Sequence, residues 1–214
     1  MSETKKRILI AGIIVLVVAL IAVLEHFGIN AARYAGIILT VVMMYEFARA
    51  VMRAQSQNRV QNWIKYALFG LLLVLMLLAV NKVGQKPWII LLLFITICSA
   101  DIGAWLFGRI IGGDKMWKNI SEHKTWAGQI SGIICGTFAS IMYGLLGTDT
   151  FLPQLLWIGI SVSLLSQYGD LTASYIKRKL EIKDFGTALP GHGGFLDRFD
   201  GWIYVLPIIW FVML

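Results

Sequence analysis

Trp88-Ile-Ile-Leu-Leu-Leu-Phe-Ile-Thr-Ile-Cys98-Ser-Ala-Asp101-Ile-Gly-Ala-Trp105-Leu-Phe-Gly108-Arg109-Ile110 is the stretch that decides the fold class. A helix needs about 20 mostly apolar residues to cross about 30 Å of hydrocarbon, and this run supplies them with one acid inside and one base at its exit. Similar runs recur toward the N-terminus at roughly Trp63–Val80, Tyr34–Val51 and Ile8–Leu24. Toward the C-terminus lie Ala127–Leu146, Pro153–Ile176 and the shorter Gly201–Leu214. The prediction is an all-α, polytopic integral membrane protein of about seven transmembrane helices, a single transmembrane domain over residues 1–214. At 58% hydrophobic and 14% charged, the 214 residues are too apolar for a water-soluble fold. The first run has the basic flank of a signal peptide, but it continues into Glu25-His26-Phe27 without a small-x-small cleavage pattern and so reads as an anchor. Cys98 and Cys135 fall inside predicted spans, which argues against a disulfide framework and for small core residues.

Lysines and arginines set the expected orientation. With the sides alternating, one side receives Lys5, Lys6, Arg7, Arg49, Arg53, Arg59, Lys65, Arg109, Lys115, Lys118, Lys124, Lys177, Arg178, Lys179, Lys183 and Arg198. Of the 19 bases, only Arg33, Lys82 and Lys86 fall on the other. The N-terminus and the loops 109–126 and 177–200 are therefore predicted to be cytoplasmic. The formal net charge of +7 sits in short loops between apolar runs, which fits anionic headgroups and topology and speaks against nucleic acid.

An acid within a span is costly unless it meets protein, water or a cation. Glu46, Asp101 and Asp170 are such acids. Gln167, Asp170, Ser174 and Lys177 are spaced by three, four and three residues, so a helix sets them on one face leading to the basic loop. Asp101 precedes Trp105, Gly108 and Arg109 and is either a site residue or half of a buried Asp–Arg pair. Glu46 has no motif around it and reads as a snorkelling or helix-pairing residue near the cytosolic end of its span.

Between the last two apolar runs the charge density rises: Ser174-Tyr-Ile-Lys177-Arg178, then Lys183-Asp184, then Pro190-Gly-His192-Gly193-Gly194-Phe-Leu-Asp197-Arg198-Phe-Asp200. Gly191, Gly193 and Gly194 allow close backbone approach or offer amides to an anion. Asp197 and Asp200 are hard oxygen ligands of the kind that hold Mg²⁺ against substrate phosphates. Lys177, Arg178, Lys183 and Arg198 can neutralise phosphate, the arginines in bidentate fashion. His192 is open between a base, a phosphate donor and a loop hydrogen bonder. The pattern predicts a cytosolic site for phosphates and metal.

Ser174-x-Ile-Lys177-Arg178, Lys183-Asp184-x-Gly186 and Leu189-Pro190-x-His192-Gly193-Gly194-x-x-Asp197-Arg198-x-Asp200 together resemble the signature of the phosphatidate cytidylyltransferases, also called CDP-diacylglycerol synthases. Asp101-x-x-Ala104-Trp105-x-x-Gly108-Arg109 and Ser121-x-x-Lys124-Thr125-Trp126-x-Gly128 resemble two further blocks of that family. The likeness makes 88–214 the catalytic half and leaves 1–87 less diagnostic. It implies a nucleotidyltransferase of phospholipid biosynthesis that joins phosphatidic acid to CTP with Mg²⁺, giving CDP-diacylglycerol and pyrophosphate. It further implies a homodimer in the bacterial inner membrane with its active site facing the cytoplasm, and leaves a second cation open. Asp170, Asp197 and Asp200 would hold the metal, with Ser174, Lys177, Arg178 and His192 completing the catalytic group. Asp101, Arg109, Lys124, Thr125, Lys183, Gly193, Gly194 and Arg198 would contact substrate or phosphate.

Two departures stand out: Glu122 replaces a proline of the family block, and Ala127 an acidic or other polar residue, which bears on a contact near the nucleotide or on a helix start. The same chemistry on another lipid phosphate, such as an isoprenoid phosphate, is one competing reading. A cation-coupled transporter with Asp101 and Asp170 along an ion path is another, and it leaves the bases and glycines of the loop unexplained.

Overall fold

The computed structural model describes residues 16, 17, 19–21, 23–117, 120–147, 152–189 and 193–213. Most of the predicted Ile8–Leu24 span lies outside these residues, as do Lys118, Gly191 and His192. The described chain is mostly helical: α1 (Ala31–Arg53), α2 (Ser56–Val83), α3 (Pro87–Ile111), α4 (Trp126–Gly147), α5 (Leu152–Leu180), the single turn α6 (Leu196–Phe199) and α7 (Trp202–Val212). Among the described residues, four helices are long and apolar enough to cross a membrane, at Ala31–Arg53, Val60–Val83, Pro87–Ile111 and Trp126–Leu146. Of the remaining predicted spans, α5 is long but carries Ser163, Ser166, Gln167, Asp170 and Ser174, and α7 has only 11 residues, about 16 Å of helix.

The loop after α3 contains a feature that the all-α expectation did not include. Strands β1 (Lys115–Trp117) and β2 (Ser121–Thr125) pair antiparallel, with Lys115 opposite Thr125 and Trp117 opposite Ser121. Gly112 and Gly113 explain why α3 stops: both take positive φ, at 66° and 94°, a conformation that ends helices and suits glycine. The short polar segment beyond them cannot bury a helical face and satisfies its backbone by pairing with itself.

Two compact units divide the chain, Met1–Pro87 with Tyr175–Leu214, and Trp88–Ser174. In the first, α1 and α2 form a hairpin and α7 packs on α2. Arg33 Nε and Nη2 donate to Asn81 Oδ1 at 2.9 and 2.7 Å, tying one end of the hairpin. Near the other end, Phe47 of α1 and Phe69 of α2 lie with ring centroids 4.9 Å apart, and Phe185 of the loop after α5 joins them at 6.2 and 6.0 Å. These spacings and tilts are the preferred ones for aromatic pairs. All three rings are buried, so the signature loop is fastened into the same core as the N-terminal helices.

In the second unit, α4 lays Gly128, Gly132 and Gly136 along α3. A Cβ on these residues would lie 2.8 Å from Ala104 O, 2.8 Å from Ala100 O and 3.0 Å from Thr96 O, so each step of four on α4 meets a step of four on α3. Lipid supplies no hydrophobic drive for helix association, and small residues give close backbone contact in its place. The same helix also meets α5: a Cβ on Gly136 would strike Ser163 Oγ, and Ser140 Oγ donates to Leu155 O at 3.0 Å.

Candidate functional site

Thr125 decides where α4 begins. It immediately precedes α4, and its hydroxyl accepts the Gly128 N–H at 3.1 Å, an N-cap bond to the third helical residue. The side chain expected to touch substrate is thus buried and engaged in starting the helix. This cap supplies the helix start that the Ala127 departure put in question. The Glu122 side chain lies outside the described residues.

One residue earlier, β2 presents Lys124. Its Nζ lies 2.8 Å from Asp170 Oδ2 of α5 as an ion pair; the Asp170 side chain is 42% exposed, so water reaches the carboxylate, while Lys124 Nζ itself is buried at the end of a 24% exposed side chain. Ser174, one turn beyond Asp170, donates its hydroxyl to Asp170 Oδ1 at 3.3 Å. Asp101 of α3 is exposed, and the charges acting on it are the repulsive Asp170 and the attractive Lys124. The Trp88–Ser174 unit therefore gathers Asp101, Lys124, Asp170 and Ser174 into one polar group. Arg109 is exposed near the C-terminal end of α3.

The other unit holds Asp197. Its side chain is only 4% exposed, and each oxygen is used. Oδ1 accepts from Lys177 Nζ at 2.9 Å; Oδ2 accepts the N–H groups of Phe185 and Gly194, each at 2.9 Å. A carboxylate offers about four lone-pair positions, so about one remains. Gly194 N–H, which the sequence offers to a phosphate, is committed to Asp197. Gly193 has φ 82°, and a Cβ there would come within 3.0 Å of Asp197 Oδ2 and 3.2 Å of Asp184 Oδ1. Only glycine combines that torsion with that proximity at low strain. Asp200 is buried and accepts the Gly201 N–H at 2.9 Å. Arg178, Lys183 and Arg198 are exposed.

Glu46 is the residue that sequence reasoning misjudged. It is 6% exposed, and its Oε1 and Oε2 accept the N–H groups of Phe195 and Leu196 at 3.1 and 2.8 Å. Gly186 and Gly194 both press on the same carboxylate: a Cβ on either would lie 2.7 Å from Glu46 Cδ. The snorkelling expectation is corrected, because the carboxylate turns into the protein and is bonded there. The sequence offered only an unexplained acid in an apolar run; that Gly186 and Gly194 are glycines without positive φ is visible in the structure alone.

Within neither unit do three or more carboxylate, histidine or cysteine side chains gather as a metal cage, among the described residues. Magnesium does not require one, since it is commonly held by one or two carboxylates together with substrate phosphates and water. The accessible Asp170 oxygens fit that donor chemistry well. Asp197 fits through its remaining lone pair, whereas Asp200 is buried and accepts from the Gly201 amide.

The family model for the cytidylyltransferase family matches residues 1–214. The chain belongs to the cytidylyltransferase family. Within this family, the phosphatidate cytidylyltransferase of Rickettsia bellii is 35% identical over 181 residues, covering 75% of this chain and 74% of the relative. That of Rickettsia felis is 32% identical over 178 residues, covering 75% and 76%. The Staphylococcus saprophyticus enzyme is 42% identical over 121 residues, 56% of this chain and 46% of the relative, so the match spans about half the length of that cytidylyltransferase.

Proposed function

We propose that this chain is a phosphatidate cytidylyltransferase, transferring CMP from CTP to phosphatidic acid with release of pyrophosphate. The observation that carries this is the pairing of two proposed metal-holding carboxylates with an ammonium each, Asp170 with Lys124 and Asp197 with Lys177. Joining two polyanions needs such charges close to the reacting phosphates. In the reaction a non-bridging oxygen of the lipid phosphate bonds to the α-phosphorus of CTP. The bond from that phosphorus to the pyrophosphate oxygen breaks, and pyrophosphate leaves with the electron pair. No protein nucleophile is required.

Magnesium, held by Asp170 and Asp197, would supply charge neutralisation to the phosphates when bound. Ser174 orients the Asp170 carboxylate through its hydroxyl hydrogen bond. Lys124 and Lys177 balance the acids before substrate arrives and can turn toward phosphate oxygens afterwards. Exposed Arg109, Arg178, Lys183 and Arg198 add cations for the triphosphate and the headgroup. His192 and Asp200 belong to the same proposal through the family signature.

The lysine and arginine asymmetry supports seven spans with the N-terminus and both long loops in the cytoplasm, in a bacterial inner membrane. The single catalytic domain, the homodimer and the second cation follow the family resemblance. The test is purified protein in liposomes with CTP, Mg²⁺ and either phosphatidic acid or a polyprenyl phosphate. Pyrophosphate release with phosphatidic acid is expected; release only with the polyprenyl acceptor moves the proposal to that lipid, and none with either overturns it.

A further inference from the structure

The loop between α5 and α6 is gathered at its neck by two carboxylates from opposite ends of the chain. Asp197 takes the N–H of Phe185 from one limb and of Gly194 from the other. Glu46 takes the next two amides, Phe195 and Leu196, and sits against Gly186 of the first limb and Gly194 of the second. Beyond the neck the limbs cross-link once more, Leu189 N–H to Gly193 O at 2.8 Å. The two acids share the work without sharing a ligand: Asp197 reaches Lys177 as well, and Glu46, among the described residues, bonds to backbone alone.

From this geometry we infer that Glu46 is a positioning residue of the active site, holding the neck of the signature loop so that Asp197 and Lys177 are presented in register. The inference rests on the cytidylyltransferase reading for its catalytic consequence and on the hydrogen bonds alone for its structural one. Both Glu46 oxygens act as acceptors, so a glutamine cannot replace it: one N–H would face an amide nitrogen that is itself a donor. Aspartate is a methylene short. A lipid-facing or headgroup-facing acid would tolerate either change.

The experiment compares wild type, Glu46→Gln and Gly186→Ala in lipid nanodiscs by amide hydrogen exchange and by steady-state CMP transfer. In Glu46→Gln the amides of 185–196 should exchange about tenfold faster or more, since loss of one buried hydrogen bond weakens the neck by about a tenfold equilibrium step. Those of α2 should keep wild-type protection. Turnover should fall by roughly 10- to 100-fold with kcat falling more than KM rises, as expected for misplacement of reacting groups. Gly186→Ala, whose Cβ meets the Glu46 carboxylate, should reproduce the exchange pattern without altering any charge, and it decides the matter if Glu46→Gln does not fold. Unchanged exchange at 185–196 in the folded variants overturns the inference. Faster exchange with wild-type turnover overturns its catalytic half. Wild type that transfers no CMP to any lipid phosphate overturns the enzymatic reading and that same half, while the exchange comparison still decides the neck.

Discussion

Asp170→Asn and Asp197→Asn, alike as changes to proposed metal ligands, should differ in stability. Asp197 is 4% exposed and uses both oxygens, one on Lys177 and one on two amides. In asparagine one of those oxygens becomes an NH₂ group. If it turns toward Phe185 and Gly194, two N–H donors face a donor; if it turns toward Lys177, a buried ammonium faces a donor and loses its counter-charge. Removing one partner of a buried pair costs about 3–5 kcal/mol. Lys177 is 14% exposed, which places the loss at about 3 kcal/mol, the low end of that range. Lys124 Nζ is buried in its pair, but its side chain is 24% exposed and that of Asp170 42%, so the freed ammonium can swing on its flexible stem into water and the change is about 0–1 kcal/mol. The assay is equilibrium unfolding in mixed micelles followed by tryptophan fluorescence, for which the buried Trp202 is a reporter, alongside CMP transfer. Both variants should lose transfer, and only Asp197→Asn should unfold earlier. An Asp197→Asn midpoint equal to wild type would refute its role as the anchor of the loop, leaving it purely a ligand.

Other expectations concern the helix contacts, the cap and the metal. Gly136→Ala drives a Cβ into Ser163 Oγ and to 3.0 Å from Thr96 O, and should destabilise the protein by about 1–3 kcal/mol in the same unfolding assay. Thr125→Val removes the cap of α4 and should cost about 0.5–2 kcal/mol while leaving KM for CTP close to wild type; Thr125→Ser should restore stability. A large rise in KM with unchanged stability would return Thr125 to the substrate. Chelation with EDTA should abolish pyrophosphate release and added Mg²⁺ should restore it, whereas full activity in chelator would rule out the metal.

Much of the fold was legible because membrane-length apolar runs are a strong signal, and α1 to α4 lie close to where the runs place them. The polar group around Asp170 was half legible: the helical spacing gave Ser174, but nothing local shows that a β-hairpin delivers Lys124. That hairpin is short and polar, with too little apolar alternation to announce a strand. Glu46 was illegible for a different reason. Its partners are backbone amides 149 and 150 residues away, and a backbone amide has no sequence signature. Gly194 was read as a phosphate-loop glycine and Gly186 only as part of the family signature, although the Cβ positions of both are closed by Glu46. A missing side chain gives no hint of whether ligand or protein fills the space.

The distance along the chain between Glu46 and its amides also matters while the protein is being made. At about 5–20 residues per second, the ribosome takes about 7–30 s to reach Leu196 after Glu46. Throughout that interval α1 has to enter the bilayer with an acid near one end whose acceptor oxygens have no backbone to meet. A nascent chain halted before Leu196 would therefore carry this carboxylate without the two amide donors that hold it in the finished protein.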